Sequence, residues 1–101
     1  MNKPLNSFLN CQASKVLAEV LEANPSHKNK IWKYWGEYIY IMESVAKSNL
    51  TNNLKKRFLL DTYMKTKSKI NTNTLPEKIK TYSNNVINTK FKITILNIDN
   101  N

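Results

Sequence analysis

The chain has 101 residues, enough for one domain whose core buries about two-thirds of the unfolded surface. One glycine and three prolines argue against a turn-dense β-sandwich or barrel, and 41% hydrophobic with 23% charged residues is the balance of an ordinary globular domain. The formal charge of +9 points to an anionic partner, and a single cysteine leaves no intramolecular disulfide, as expected in a reducing cytoplasm.

The first predicted element is an amphipathic helix over 4–23. Leu5, Phe8, Leu9, Ala13, Val16, Leu17, Val20 and Leu21 recur at spacings of three and four, with Asn6, Asn10, Lys15, Glu19 and Glu22 between them. Pro4 suits a first turn. Cys11 falls in this helix and reads as a small buried hydrophobe. Asn6, Asn10, Gln12 and Lys15 interrupt any signal-peptide core, and no run reaches the ~18 apolar residues of a membrane span. Asn24-Pro25-Ser26 ends the helix, because the residue before proline is pushed out of the helical region.

A second helix is predicted over about 27–47, with Ser26 as its N-cap. It contains both tryptophans and three of the five tyrosines. Ile31, Trp32, Tyr34, Trp35, Tyr38, Ile39, Ile41, Met42, Val45 and Ala46 cover more than one stripe, so this helix is expected at the centre with neighbours on two faces. Trp32, Trp35 and Tyr38 are candidates for the core or, alternatively, for a partner-binding surface. Gly36, between two aromatic turns, would let another backbone approach closely. His27 is expected in the preceding turn as a solvated residue.

Ser48 or Thr51 can cap a third helix, roughly 51–69. Leu54, Phe58, Leu59, Leu60, Tyr63 and Met64 are assigned to its buried side. Lys55, Lys56, Arg57, Lys65, Lys67 and Lys69 make it the most basic element. Residues 50–98 hold ten Lys and Arg against Asp61 and Glu77, a balance of +8, while residues 1–49 hold six Lys against four Glu, a balance of +2.

Asn71-Thr72-Asn73-Thr74 reads as a loop, and Thr74-Leu75-Pro76-Glu77 as a capping box opening a short helix from 75 to about 83. Phe91-Lys92-Ile93-Thr94-Ile95-Leu96-Asn97-Ile98 alternates like a β-strand. A lone strand must pair with another strand, pair across a dimer, or remain a loose tail. The expected architecture is therefore a small all-α domain of three to four helices, with a helical core over 1–70 and a C-terminal extension over 71–101 that ends in a short strand or flexible tail.

Chemistry is scarce. One His and one Cys form no metal-ligand cluster, one Gly forms no phosphate-cradling loop, and the seven acidic residues show no paired spacing suited to acid–base work. The chain is expected to be non-enzymatic and to need no cofactor. Positive evidence lies in the third helix, where Lys55, Lys56, Arg57, Lys65, Lys67 and Lys69 are candidate phosphate contacts, spaced by a rigid helix. A solvated helix face is the competing reading.

Three segments bear on family: Ala18-Glu19-Val20-Leu21-Glu22, then Trp35-Gly36-Glu37, then Arg57-Phe58. Over about residues 15–60 the chain resembles the PerC family of small enterobacterial transcriptional regulators. The interhelix segment Asn24-Pro25-Ser26-His27 departs from that family's pattern, which favours a glycine and a small-residue pair. The resemblance implies a helical cytosolic regulator of gene expression, with Trp35, Arg57 and Phe58 at family positions. The leading expectation is a cytoplasmic transcriptional regulator that binds nucleic acid through its basic C-terminal half. The alternative is a protein-interaction module, an oligomerising adaptor (a homodimer included) or an inhibitor, in which charge only steers association.

Overall fold

The computed structural model describes residues 12–100. Four α-helices account for nearly all of them: α1 (Gln12–Glu22), α2 (Pro25–Ala46), α3 (Asn52–Asn71) and α4 (Glu77–Asp99). Among the described residues there is no strand. The part of the first predicted helix over 4–11, with Cys11, lies outside the described residues.

Local chemistry sets the helix boundaries. Asn24 closes α1: its side-chain amide donates to the Val20 carbonyl at 2.8 Å. Pro25 occupies the first turn of α2, where its missing N–H costs nothing. The cap position is thus Asn24, not Ser26, and His27 lies inside α2, not in a turn. At the other end of α2 the Ser48 hydroxyl donates to the Val45 carbonyl at 2.7 Å. Thr51 is the N-cap of α3, its hydroxyl oxygen accepting from the Leu54 amide at 3.2 Å. The capping box at Thr74 does not form. Pro76 holds the cap position of α4 without a side-chain cap, and Glu77 supplies a negative charge in the first turn.

The expected short helix and the 91–98 strand are one helix, α4, of 23 residues. Its inward face is Ile79, Ser83, Val86, Ile87, Lys90, Thr94 and Ile98, a three- and four-residue spacing. Ser83, Lys90 and Thr94 are polar, which breaks the apolar rhythm. Ile93 and Leu96 are apolar but exposed, which creates a false alternation with Phe91, Ile95 and Ile98. The helix periodicity is real but is written partly in polar residues.

One buried cluster joins all four helices: Leu17, Val20 and Leu21 from α1; Ile31, Trp35, Tyr38, Ile39 and Met42 from α2; Leu59 and Ile70 from α3; Leu75 before α4; and Ile79, Val86, Ile87 and Ile98 on it. The expected extension past residue 70 therefore shares one core with the helices before it. α4 packs on all three other helices, most extensively on α3 and α1, so it shares the central position expected for α2 alone. The rings of Trp35 and Tyr38 meet edge to face, with centroids 5.8 Å apart. The Tyr38 hydroxyl donates to the Ile87 carbonyl at 3.1 Å in the interior, pinning α2 to α4. Burial holds the Tyr38 phenol above its ordinary pKa, with a smaller contribution from nearby Tyr63.

Gly36 does not mark a close helix approach. A methyl group there would meet no described heavy atom within 4 Å, and the residue is exposed.

Candidate nucleic-acid interface

The six basic residues of α3 do not share a face. At 3.6 residues per turn, Lys55 and Lys56 flank the buried side, Arg57 and Lys65 point outward, and Lys67 and Lys69 lie on opposite flanks. Their surroundings divide them further. The Lys55 ammonium donates to the Ala46 carbonyl at 2.8 Å, satisfying the exposed end of α2. Lys56 pairs with Asp99 across the α3–α4 seam. Lys65 pairs with Asp61 one turn earlier, at 3.0 Å. Lys67 sits over the Tyr63 ring, 5.7 Å from its centroid. Lys69 lines a narrow cleft with Tyr34, Glu37, Tyr38, Ile41 and Thr66. Arg57 lines a shallow depression with Leu54, Phe58 and Asp61.

Acidic neutralisation is nearly used up in this half. Asp61 and Asp99 are both engaged by lysines of α3, and Glu77 sits at the start of α4. Arg57, Lys67, Lys69, Lys78, Lys80 and Lys92 have no acidic partner among the described residues. The Lys80 ammonium donates to the Asn71 carbonyl at 3.1 Å, at the C-terminal end of α3.

Sequence reasoning misses the ion pair between Lys90 and Glu43. Lys90 lies on the inward face of α4, and its ammonium meets the Glu43 carboxylate of α2 at 2.8 Å. The other Glu43 oxygen is 3.7 Å from the Lys47 ammonium. Lys90 thus belongs to the interior and takes no part in a basic surface. Its place on the Ser83–Val86–Ile87–Lys90–Thr94 face is the available signal, but it emerges only once 77–99 is read as a helix.

Trp35 and Tyr38 are buried, and Trp32 is half-buried against the core. The larger surprise is on α3. Leu54, Phe58, Leu60 and Met64, all assigned to the buried side, are exposed. Only Leu59, Thr66 and Ile70 are buried, with Tyr63 partly so, and these four follow the helical repeat. The six apolar residues chosen from sequence wrap most of the circumference, and a helix packed on one side cannot bury them all.

Among the described residues no group of three or more His, Cys, Asp or Glu side chains could hold a metal ion. None of their helices is long and apolar enough to cross a membrane. Comparison of the chain with protein-family models, curated proteins and solved structures gives no match.

Proposed function

We propose that this chain is a small non-enzymatic regulator of gene expression, cytoplasmic, that engages nucleic-acid phosphates through its C-terminal half. The single observation behind this reading is the charge left over after folding. Asp61 and Asp99 are already paired, and Arg57, Lys67, Lys69, Lys78, Lys80 and Lys92 have no acid among the described residues to neutralise them. Such a surplus attracts a polyanion and releases its condensed counterions. The resemblance of residues 15–60 to PerC-type regulators belongs to the same reading, with Arg57 and Phe58 exposed on α3 and Trp35 in the core. Lys55 has its ammonium on a backbone carbonyl and is a structural residue in this scheme.

Salt dependence tests it. Binding of a short DNA duplex should weaken linearly in log–log form as salt rises. Replacing Arg57, Lys67 and Lys69 together by Gln should lower that slope by about 0.9–1.8, at roughly 0.9 for each phosphate no longer neutralised, since a duplex on one side of α3 reaches only one of the two flanking lysines. Lys55→Gln should leave the slope unchanged. A slope indifferent to the triple substitution, or no duplex binding at low salt, refutes the reading.

A further inference from the structure

The antiparallel seam between α3 and α4 carries a second kind of surface. Four polar interactions tie the two helices: Lys56 to Asp99, the Tyr63 hydroxyl to the Asn88 side chain, Lys80 to the Asn71 carbonyl, and the Asn84 side-chain amide to the Asn71 side-chain oxygen. The Tyr63 and Phe91 rings stack between the helices, with centroids 4.7 Å apart. Just outward of this aromatic floor, the helical repeat puts Leu60 and Met64 on the α3 side and Lys92 and Leu96 on the α4 side. Leu60 is 49% exposed, Met64 57% and Leu96 60%. These are among the most exposed large apolar residues described; Leu60 and Met64 are one turn apart on α3, and Leu96 is on the outer side of α4. Lys67 and Lys92 rim the seam, and the acid at its end, Asp99, is already held by Lys56.

We propose that this seam docks an acidic amphipathic helix of a partner protein. Its apolar anchors would lie on Leu60, Met64 and Leu96, and its flanking Asp and Glu side chains would meet Lys67 and Lys92. Two helices side by side make a shallow groove, the receiving surface for anchors spaced at i, i+3/i+4 and i+7. A methionine suits such a surface because its side chain adapts to its surroundings. Charge selects the occupant. A second copy of this chain would bring the same cations to the seam, and each copy carries +9. An anionic bilayer would match the lysines, but the exposed Asp61 and Ser68 lie on the same helix and would lose water without compensation on entering lipid. A phosphate backbone matches the lysines and leaves three apolar side chains unused.

Helix docking of this kind goes beyond nucleic-acid binding and does not depend on it. The test uses the full chain and a labelled 16-residue peptide with Leu on one helical face and Glu elsewhere, read by fluorescence anisotropy. A peptide of the same composition, with its leucines spread around the helix, should bind at least tenfold more weakly. Leu60→Ser with Met64→Ser should weaken the patterned peptide at least tenfold, with the melting curve and duplex-DNA binding unchanged. Leu96→Ser should act in the same direction from the other helix. Equal binding of the two peptides would mean charge alone is read, and would overturn the proposal. So would insensitivity to the Leu60, Met64 and Leu96 substitutions. Self-association, or binding to phosphatidylglycerol vesicles, that these substitutions abolish would identify a second copy or a membrane as the occupant, and would also overturn it.

Discussion

The Lys90–Glu43 pair should respond asymmetrically to the loss of either partner. The Lys90 side chain is 10% exposed and that of Glu43 26%, with 2.8 Å between the charged atoms. In Glu43→Gln, Lys90 keeps a charge inside the interface of α2 and α4 with no carboxylate to offset it. Breaking a fully buried pair typically costs about 3–5 kcal/mol. Here the site is a quarter open on one side and glutamine retains an acceptor oxygen, so the expected loss is about 2 kcal/mol. For a domain of this size that lowers the melting temperature by roughly 8–16 °C. In Lys90→Met, by contrast, the aliphatic stem keeps its packing and the buried charge disappears. Glu43 then still has Lys47, 3.7 Å away, and reaches water. The expected change is within about 1 kcal/mol of wild type, of either sign. The double variant should recover most of what Glu43→Gln loses. Thermal and urea unfolding followed by circular dichroism measure all three. If Lys90→Met costs as much as Glu43→Gln, Lys90 contributes through its charge, and desolvation does not decide the energetics of this pair.

Two further outcomes follow from single positions. Gly36→Ala should stabilise the fold by up to about 1 kcal/mol, because the added methyl meets nothing and the helix gains propensity; a lower melting temperature would show that a close contact exists there. In spectrophotometric titration Tyr38 should stay protonated well above the ordinary tyrosine value near 10, and Tyr38→Phe should remove that late step. The sign follows from the raised Tyr38 pKa. Its stabilising contribution is complete below the unfolded tyrosine value near 10 and is lost as pH climbs toward the folded value, so wild type should weaken above about pH 10 more steeply than Tyr38→Phe.

How far the sequence reveals this fold depends on which residues form the buried faces. α2 is legible because its interior is Ile31, Trp35, Tyr38, Ile39 and Met42, and nothing polar interrupts the repeat. α3 is half legible: its length is plain and its cap is narrowed to Ser48 or Thr51, but its buried line runs Leu59, Tyr63, Thr66, Ile70, with a threonine where an apolar residue would have marked the face. Leu54, Phe58, Leu60 and Met64 then compete for the same assignment and win it wrongly. α4 is the least legible. Ser83, Lys90 and Thr94 supply almost half of its inward face, and each is accommodated differently. Lys90 has Glu43, and the Thr94 hydroxyl donates to the Lys90 carbonyl at 2.8 Å. The buried Ser83 hydroxyl has no partner among the described residues. The candidate site poses the opposite difficulty. Ten cations in one half of the chain are obvious, but which ones face solvent depends on where Ala46, Asp61, Asp99 and Glu43 come to rest, and all but the Asp61 pairing cross between elements.

The two ligands proposed for this chain draw on overlapping cations, and that overlap makes a prediction neither makes alone. Lys67 stands at the rim of the α3–α4 seam and is also one of the lysines left without an acid among the described residues. A helix seated between Lys67 and Lys92 would bring carboxylates against the charges that a nucleic acid would otherwise neutralise. Binding of one ligand must therefore weaken the other, and by the same factor in both directions, since linkage is reciprocal. At low salt, saturating DNA duplex should raise the Kd of the patterned acidic peptide, and saturating peptide should raise that of the duplex equally. The factor should shrink as salt rises past the point where the Debye length, about 10 Å at 0.1 M, screens the shared rim. Lys67→Gln should reduce it further, and with Leu60→Ser and Met64→Ser at least tenfold more peptide should be needed to weaken duplex binding equally. Full independence of the two affinities at low salt would place the nucleic acid elsewhere on the basic surface, away from Lys67 and Lys92.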